Sequence, residues 1–211
     1  MDDIMGRKES VTQKNILEVA AEEFMAKGFQ KASLREIVRK AGVTTGAFYG
    51  YYDSKEAIFD ALVKEHAENL IGIYKKSLSD FENLPAEKQT YSIGLYSSES
   101  IVAMYKYAYE NIQAFRLIIK CSAGTKYEHF IHDFAVSEIE STHNFYKVLE
   151  KQGMQPLEMS SFTEKVVING MFASFFELLM KDISQEEGVK CVKELYSFFE
   201  AGWRRFLHYS E

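Results

Sequence analysis

Proline is almost absent from this sequence. Two occur in 211 residues, at 85 and 156, so long stretches carry nothing that bars a continuous helix. Within those stretches apolar residues recur every three or four positions, as in Ile16, Ala20 and Phe24, the period of a half-buried helix and not of a strand. Closely spaced turn signals are few. The expected fold class is therefore all-α, with about nine helices. A hydrophobic content of 46% with 14% aromatic residues excludes a disordered chain, and the length allows one or two domains with a sizeable core. No apolar run reaches 18 residues, and MDDIMGRKES has no apolar centre for a signal peptide. Cys121 and Cys191 form neither a disulfide framework nor a metal-binding spacing. A soluble, cytoplasmic protein without membrane contact is expected.

The N-terminal quarter is the most informative. After a loose arm carrying Arg7 and Lys8, a first helix should run from about Thr12 to Lys27 and end at Gly28. Ser33 starts a second, and Glu36 three residues on completes a capping box. Its apolar face is Leu34, Ile37, Val38 and Ala41. Gly42 breaks it, Val43 plugs the turn, and Thr44 or Thr45 caps a third helix reaching Tyr52. A short helix, a glycine-containing turn and another short helix have the spacing of a DNA-binding helix-turn-helix. Asp53 and Glu56 stand in capping-box register for a fourth helix to about Ser79. The net charge is −6, yet Lys27 to Lys55 holds six bases against two acids. A basic patch on an acidic body suits a site-specific DNA binder. Thr44 and Thr45 are short hydrogen-bonding groups suited to phosphates or thymine methyls. Gly46 and Ala47 allow close backbone approach, Tyr49 and Tyr51 offer hydroxyls to phosphates, and Lys55 an ammonium. Phe48 and Tyr52 read as core.

The run Gly28-Phe29, Ser33-Leu34-Arg35-Glu36-Ile37 and Ala41-Gly42-Val43-Thr44-Thr45-Gly46-Ala47-Phe48-Tyr49-Gly50-Tyr51-Tyr52-Asp53-Ser54-Lys55-Glu56 resembles the N-terminal signature of the TetR family of transcriptional regulators. The resemblance covers roughly residues 13–62. It implies DNA-contacting roles for Ser33, Thr44, Thr45, Gly46, Tyr49, Tyr51 and Lys55. It departs at Gly50, where members often carry histidine or another polar residue. It also implies a helix-turn-helix domain over residues 1–53, a helical effector-binding and dimerisation domain over 54–211, and pairing through a four-helix bundle.

Past Ser79, helices are expected near Ala86–Glu110, Asn111–Cys121, Lys126–Gln152, Ser161–Lys181 and Gln185–His208, with Pro156 stopping the third of these. The last two present broad apolar stripes. Val167, Phe172, Phe175 and Leu179 on one, with Leu195, Phe198, Phe199, Gly202 and Trp203 on the other, are the candidate homodimer interface, although a protomer core would use such stripes equally well. The central helices are rich in aromatic residues. Tyr105, Tyr109, Phe115, Cys121, Phe130, Phe134 and Phe145, joined by Met171 and Phe175, are candidate walls of a pocket for a small apolar or aromatic effector. Tyr91 and Tyr96 belong to the same set, and each aromatic taken singly also fits an ordinary core. Glu99, Glu110 and Glu138 either select a cationic ligand or sit on a solvated surface.

His129, His132 and Asp133 are close in sequence, but neighbouring helical histidines arise by chance, and no metal or cofactor is expected. No nucleophile elbow, phosphate-binding loop or glycine-rich dinucleotide turn occurs, so an enzyme is not expected. The leading reading is a ligand-responsive repressor that binds a palindromic double-stranded operator as a homodimer. The other is a helical ligand-binding or interaction module that does not touch DNA.

Overall fold

The computed structural model describes residues 2–155 and 159–206, with side chains described outside 2–10 and 90–97. Every regular element among them is a helix: α1 Asp2–Lys31, α2 Leu34–Lys40, α3 Thr45–Tyr49, α4 Lys55–Glu82, α5 Ala86–Glu110, α6 Ile112–Cys121, α7 Phe130–Lys151, α8 Ser161–Leu179 and α9 Gln185–Phe206. The all-α expectation holds. The N-terminal arm is helical from Asp2 onward, not loose, while the side chains of Arg7 and Lys8 lie outside the described residues.

The chain divides into two compact units. The first comprises residues 1–67 and 113–128, the second 68–112 and 129–211. The expected boundary after residue 53 therefore does not mark where packing changes. The first half of α4 belongs to the first unit because Ile58, Phe59 and Val63 are fully buried there. Phe24, Phe29 and Phe59 meet as a triad, with ring centroids 5.2 to 5.7 Å apart. The chain returns to this unit as α6, whose Ala114, Phe115, Leu117, Ile118 and Cys121 are buried. The turn after α6 is anchored there too, since Lys126 and Tyr127 both bind the Asp60 carboxylate.

The helix ends show how local chemistry sets the path. Gly28 takes φ 72° and ψ 162°, a conformation that a Cβ disfavours, and breaks α1 there. The expected capping box on α2 is only half made. Ser33 Oγ accepts from the Glu36 amide at 3.4 Å, but the Glu36 carboxylate turns to Arg39 at 2.8 Å. The Ser33 amide donates instead to buried Glu23. At α3 the cap is Thr44, whose Oγ1 accepts from the Ala47 amide at 3.1 Å, and the helix ends at Tyr49, short of the expected Tyr52. At α4 the cap is Ser54, accepting from the Ala57 amide at 3.0 Å, not Asp53. The helix α7 begins at Phe130, four residues later than expected, because Thr125 binds the Ser122 carbonyl and holds the preceding segment in a turn. Its far end closes on Gly153, at φ 79°, with the Met154 amide returning to the Leu149 carbonyl. Pro156 and His208 lie outside the described residues.

The second unit is built from the rest of α4 with α5, α7, α8 and α9. Tyr74, Phe134, Phe172 and Phe176 form its aromatic centre, joined by Phe130. The helices α5 and α9 approach closely where Gly188 faces Tyr105; any Cβ at 188 would collide with the tyrosine ring and hydroxyl.

Candidate nucleic-acid interface and cavity

The first unit holds α3 out on a short turn. Gly42, at φ 67°, reverses the chain after α2, and the Val43 amide binds the Val38 carbonyl. Phe48 is the only buried residue of α3 and plugs it onto the unit core, in edge contact with Tyr49 and beside Tyr52. The remaining faces are open. Thr44, Thr45, Gly46, Ala47, Tyr49 and Gly50 are exposed, Tyr49 by 50%, and Tyr51 is half-buried. A Cβ added at Gly46 would meet nothing within 4 Å, so the surface there is flat and accessible. The Thr44 hydroxyl, which only accepts in the cap, keeps its proton for an outside acceptor. The expected docking residues of the turn and α3 thus share one surface, apart from half-buried Tyr51.

Two expected contacts differ. Ser33 is half-buried and engaged in capping. Lys55 is turned inward: its ammonium donates to the carbonyls of Phe29, Gln30 and Ala32 at 2.8, 3.3 and 3.2 Å and sits 4.5 Å from the centre of the Phe29 ring. It fixes the end of α1 instead of presenting a charge to phosphate. Part of the basic run is also committed to ion pairs. Lys27 and Lys40 both bind the fully buried Glu23, at 2.6 and 2.9 Å, and Arg39 binds Glu36. Glu23 is held down to about pKa 2, chiefly by its hydrogen bonds from Lys27 and then Lys40, which outweigh the effect of burial. Among the described residues, Lys31 and Arg35 are the exposed bases of this run whose side chains make no ion pair or hydrogen bond.

The second unit contains a cavity of about 120 Å³ open to the centres of water molecules. Of the expected pocket residues it is lined by Phe145, Met171 and Phe175. Phe115 and Cys121 belong to the core of the first unit. Tyr105, Tyr109, Phe130 and Phe134 pack within the second unit without lining the cavity, and the side chains of Tyr91 and Tyr96 lie outside the described residues. In their place come residues expected at the dimer interface: Phe172, Leu195, Phe199 and Trp203. Phe172, Phe175 and Leu179 are each 1% exposed and face the interior of their own protomer. The apolar surface that α8 and α9 leave open is instead Phe162, Val166 and Phe198, exposed by 84%, 71% and 76%. Of the remaining interface candidates, Gly202 is exposed and Val167 half-buried.

Of the three acids weighed from the sequence as cation-selecting or solvated, Glu138 lines the cavity, and Glu99 and Glu110 do not. Glu138 on α7 enters the wall and accepts a hydrogen bond from the hydroxyl of Tyr74 on α4. Burial raises the Glu138 pKa, opposed by that hydrogen bond. The hydroxyls of Ser100 and Tyr146 are buried without a partner. Burial, aided by Glu164, pushes the Tyr146 phenol up to about 12. The signal in the sequence for Glu138 is its helical face, shared with Phe134, Ser141 and Phe145, all of which are buried.

An exposed short helix seated on a tight turn over its own core, in an all-α chain, has the form of the helix-turn-helix found in DNA-binding proteins. Residues 16–62 match the family model of bacterial regulatory proteins, tetR family. Over that segment the chain is similar to the N-terminal part of TetR-family transcriptional regulators. It is 48% identical over 54 residues to the HTH-type transcriptional regulator YdgC of Bacillus subtilis, covering 26% of this chain and 28% of that one. It is 29% identical over 109 residues to the HTH-type transcriptional repressor KstR2 of Rhodococcus jostii, covering 50% and 52%. The chain thus spans about half or less of these relatives' length. The fold extends further. A TetR-family transcriptional regulator from Bordetella parapertussis superposes with TM-score 0.55 at 14% identity, over 87% of this chain and 93% of that one. A TetR-like regulator from Rhodococcus sp. RHA1 gives 0.52 at 14%, over 92% and 97%. No helix of the described residues is long and apolar enough to cross a membrane.

Proposed function

We propose that this chain is a cytoplasmic, ligand-responsive repressor that binds a palindromic operator as a homodimer and leaves it when a small molecule fills the cavity of the second unit. The observation that carries the reading is the open surface of Thr44, Thr45, Gly46, Ala47 and Tyr49 on a helix whose single buried residue is Phe48. A five-residue helix with this surface contacts too little DNA to select a site alone. Two copies one helical turn apart, roughly 34–36 Å, supply the missing contacts. The exposed Phe162, Val166 and Phe198 suit the pairing surface. The similarity to the transcriptional repressor KstR2 favours repression over activation.

Release requires only that the ligand prefer a protomer shape with the wrong spacing, by a few kcal/mol. The chain offers a covalent route, since α4 runs through both units and α6 is reached directly from α5. Base-reading side chains such as arginine and glutamine are missing from α3, so phosphate contacts and DNA shape carry much of the affinity. The test is Tyr49→Ala in a gel-shift titration against the chain's own upstream region. Operator affinity falls about tenfold or more while sedimentation still reports a dimer. Unchanged affinity refutes the docking, and wild-type protein without salt-dependent binding refutes DNA recognition itself.

A further inference from the structure

The second-unit cavity combines aromatic walls with a carboxyl group that has too few partners. Phe145, Phe172, Phe175, Phe199 and Trp203 supply ring faces. Two acids and one base line it among the described residues, and one acid cancels the base: Arg204 donates twice to Glu200, at 3.0 and 2.8 Å. That leaves Glu138. A carboxylate offers about four acceptor positions, and the Tyr74 hydroxyl fills one. A desolvated carboxylate with a single donor is costly, whereas a cation placed against it recovers the lost interaction in a medium that screens it little. Aromatic ring faces also attract cations. An anionic guest would meet uncompensated negative charge, and a neutral guest would add at most an uncharged donor. The unpartnered hydroxyls of Ser100 and Tyr146 add places for a ligand oxygen or nitrogen to bond.

Resting on the reading of this cavity as the effector site, we infer that the effector is a cationic amphiphile: an aromatic or aliphatic body carrying one protonated amine or amidine that donates to the Glu138 carboxylate. Glu138 is the selectivity residue, and Tyr74 positions it from α4.

The test uses the full chain and three probes that share an indole body: tryptamine, tryptophol and indolepropionic acid. In calorimetric titrations of the wild-type protein near neutral pH, the amine binds about tenfold or more tighter than the alcohol, the gain expected of a charge-assisted hydrogen bond, and the acid binds weakest. Glu138→Gln brings the amine to the affinity of the alcohol and leaves the alcohol unchanged. Tyr74→Phe weakens the preference without abolishing it. Equal binding of amine and alcohol by wild-type protein overturns the charge selectivity while keeping the cavity as a ligand site. An amine preference that survives Glu138→Gln overturns the role of Glu138. Binding of none of the three overturns the inference entirely. If the amine binds with the stated preference but leaves operator affinity unchanged, the ligand chemistry stands and the release mechanism fails. The wild-type comparison alone decides selectivity should either variant fold poorly.

Discussion

Replacing Glu23 by glutamine should expose how the first unit is locked. The Glu23 side chain has no solvent exposure and joins three pieces of chain: Lys27 one turn along α1, Lys40 at the end of α2, and the Ser33 amide between the helices. Its pKa falls from 4.5 to about 2, led by the hydrogen bond from Lys27. Taken whole, that shift is worth about 3.4 kcal/mol, at about 1.36 kcal/mol per pH unit. The lysine partners are nearly half exposed, at 46% and 43%, so water competes for them, and an effective contribution of about 1–2 kcal/mol is expected. The sign follows from linkage. A depressed carboxyl pKa stabilises the fold above the unfolded value of 4.5, and this is lost as pH falls toward 2, with roughly half or more gone by pH 3. Urea melts of wild type and Glu23→Gln should therefore differ by about 1–2 kcal/mol at pH 7, by roughly half of that near pH 3, and converge as pH falls toward 2. A double-mutant cycle with Lys40→Met should show coupling, because the two changes break the same contact. A pH-independent difference would mean that the loss comes from packing. No difference at pH 7 would mean that the buried ion pairs merely balance their desolvation.

Four further substitutions have definite expected outcomes. Lys55→Met should lower stability by about 1–3 kcal/mol by leaving carbonyls of the α1 end unpaired, yet leave the salt slope of operator binding unchanged. Arg35→Ala, at an exposed unpaired base, should instead reduce that slope by about 0.9. The opposite assignment would show that Lys55 swings out to phosphate. Gly188→Ala should cost about 1–3 kcal/mol through collision with Tyr105, and Tyr105→Phe should recover part of it by removing the nearest atom; a neutral Gly188→Ala in thermal melts would refute the close approach of α5 and α9. Phe162→Glu combined with Phe198→Glu should shift the chain from dimer to monomer in sedimentation without lowering the stability of the protomer, whereas an unmoved dimer would place the pairing surface elsewhere.

The difference between what was legible in the sequence and what was not follows the range of the interactions. The turn and α3 were readable because each device there is local. Glycine at a positive φ, a threonine three residues before the amide it caps, and an aromatic plug within one turn are all set by neighbours in sequence. Helix ends were misplaced where a local rule met a distant competitor. The α2 capping box reads correctly from Ser33 and Glu36, but Arg39 took the Glu36 carboxylate and Glu23, ten residues back, took the Ser33 amide. The charge patch was overstated for the same reason, since Glu23 lies outside the segment in which the bases cluster. It shares a helical face with Ile16 and Ala20, so its carboxylate turns inward, where Lys27 and Lys40 reach it.

The cavity was the least legible because a helical period says which residues turn inward but not whether they meet each other or leave a gap. Phe134 and Phe145 lie on one face of α7 and carry the same signal. One fills the aromatic centre with Phe172 and Phe176, the other lines open space. The contrast between Glu23 and Glu138 is more useful. Both are acids on otherwise apolar helical faces, and both are inward in the fold. Glu23 meets two lysines and a backbone amide, and its pKa falls. Glu138 meets one phenol, and its pKa rises. The first carboxyl is satisfied by the chain itself and serves the fold. The second lacks a cationic partner among the described residues, and that deficit, not the abundance of aromatic residues around it, is the physical reason to look for the partner among ligands.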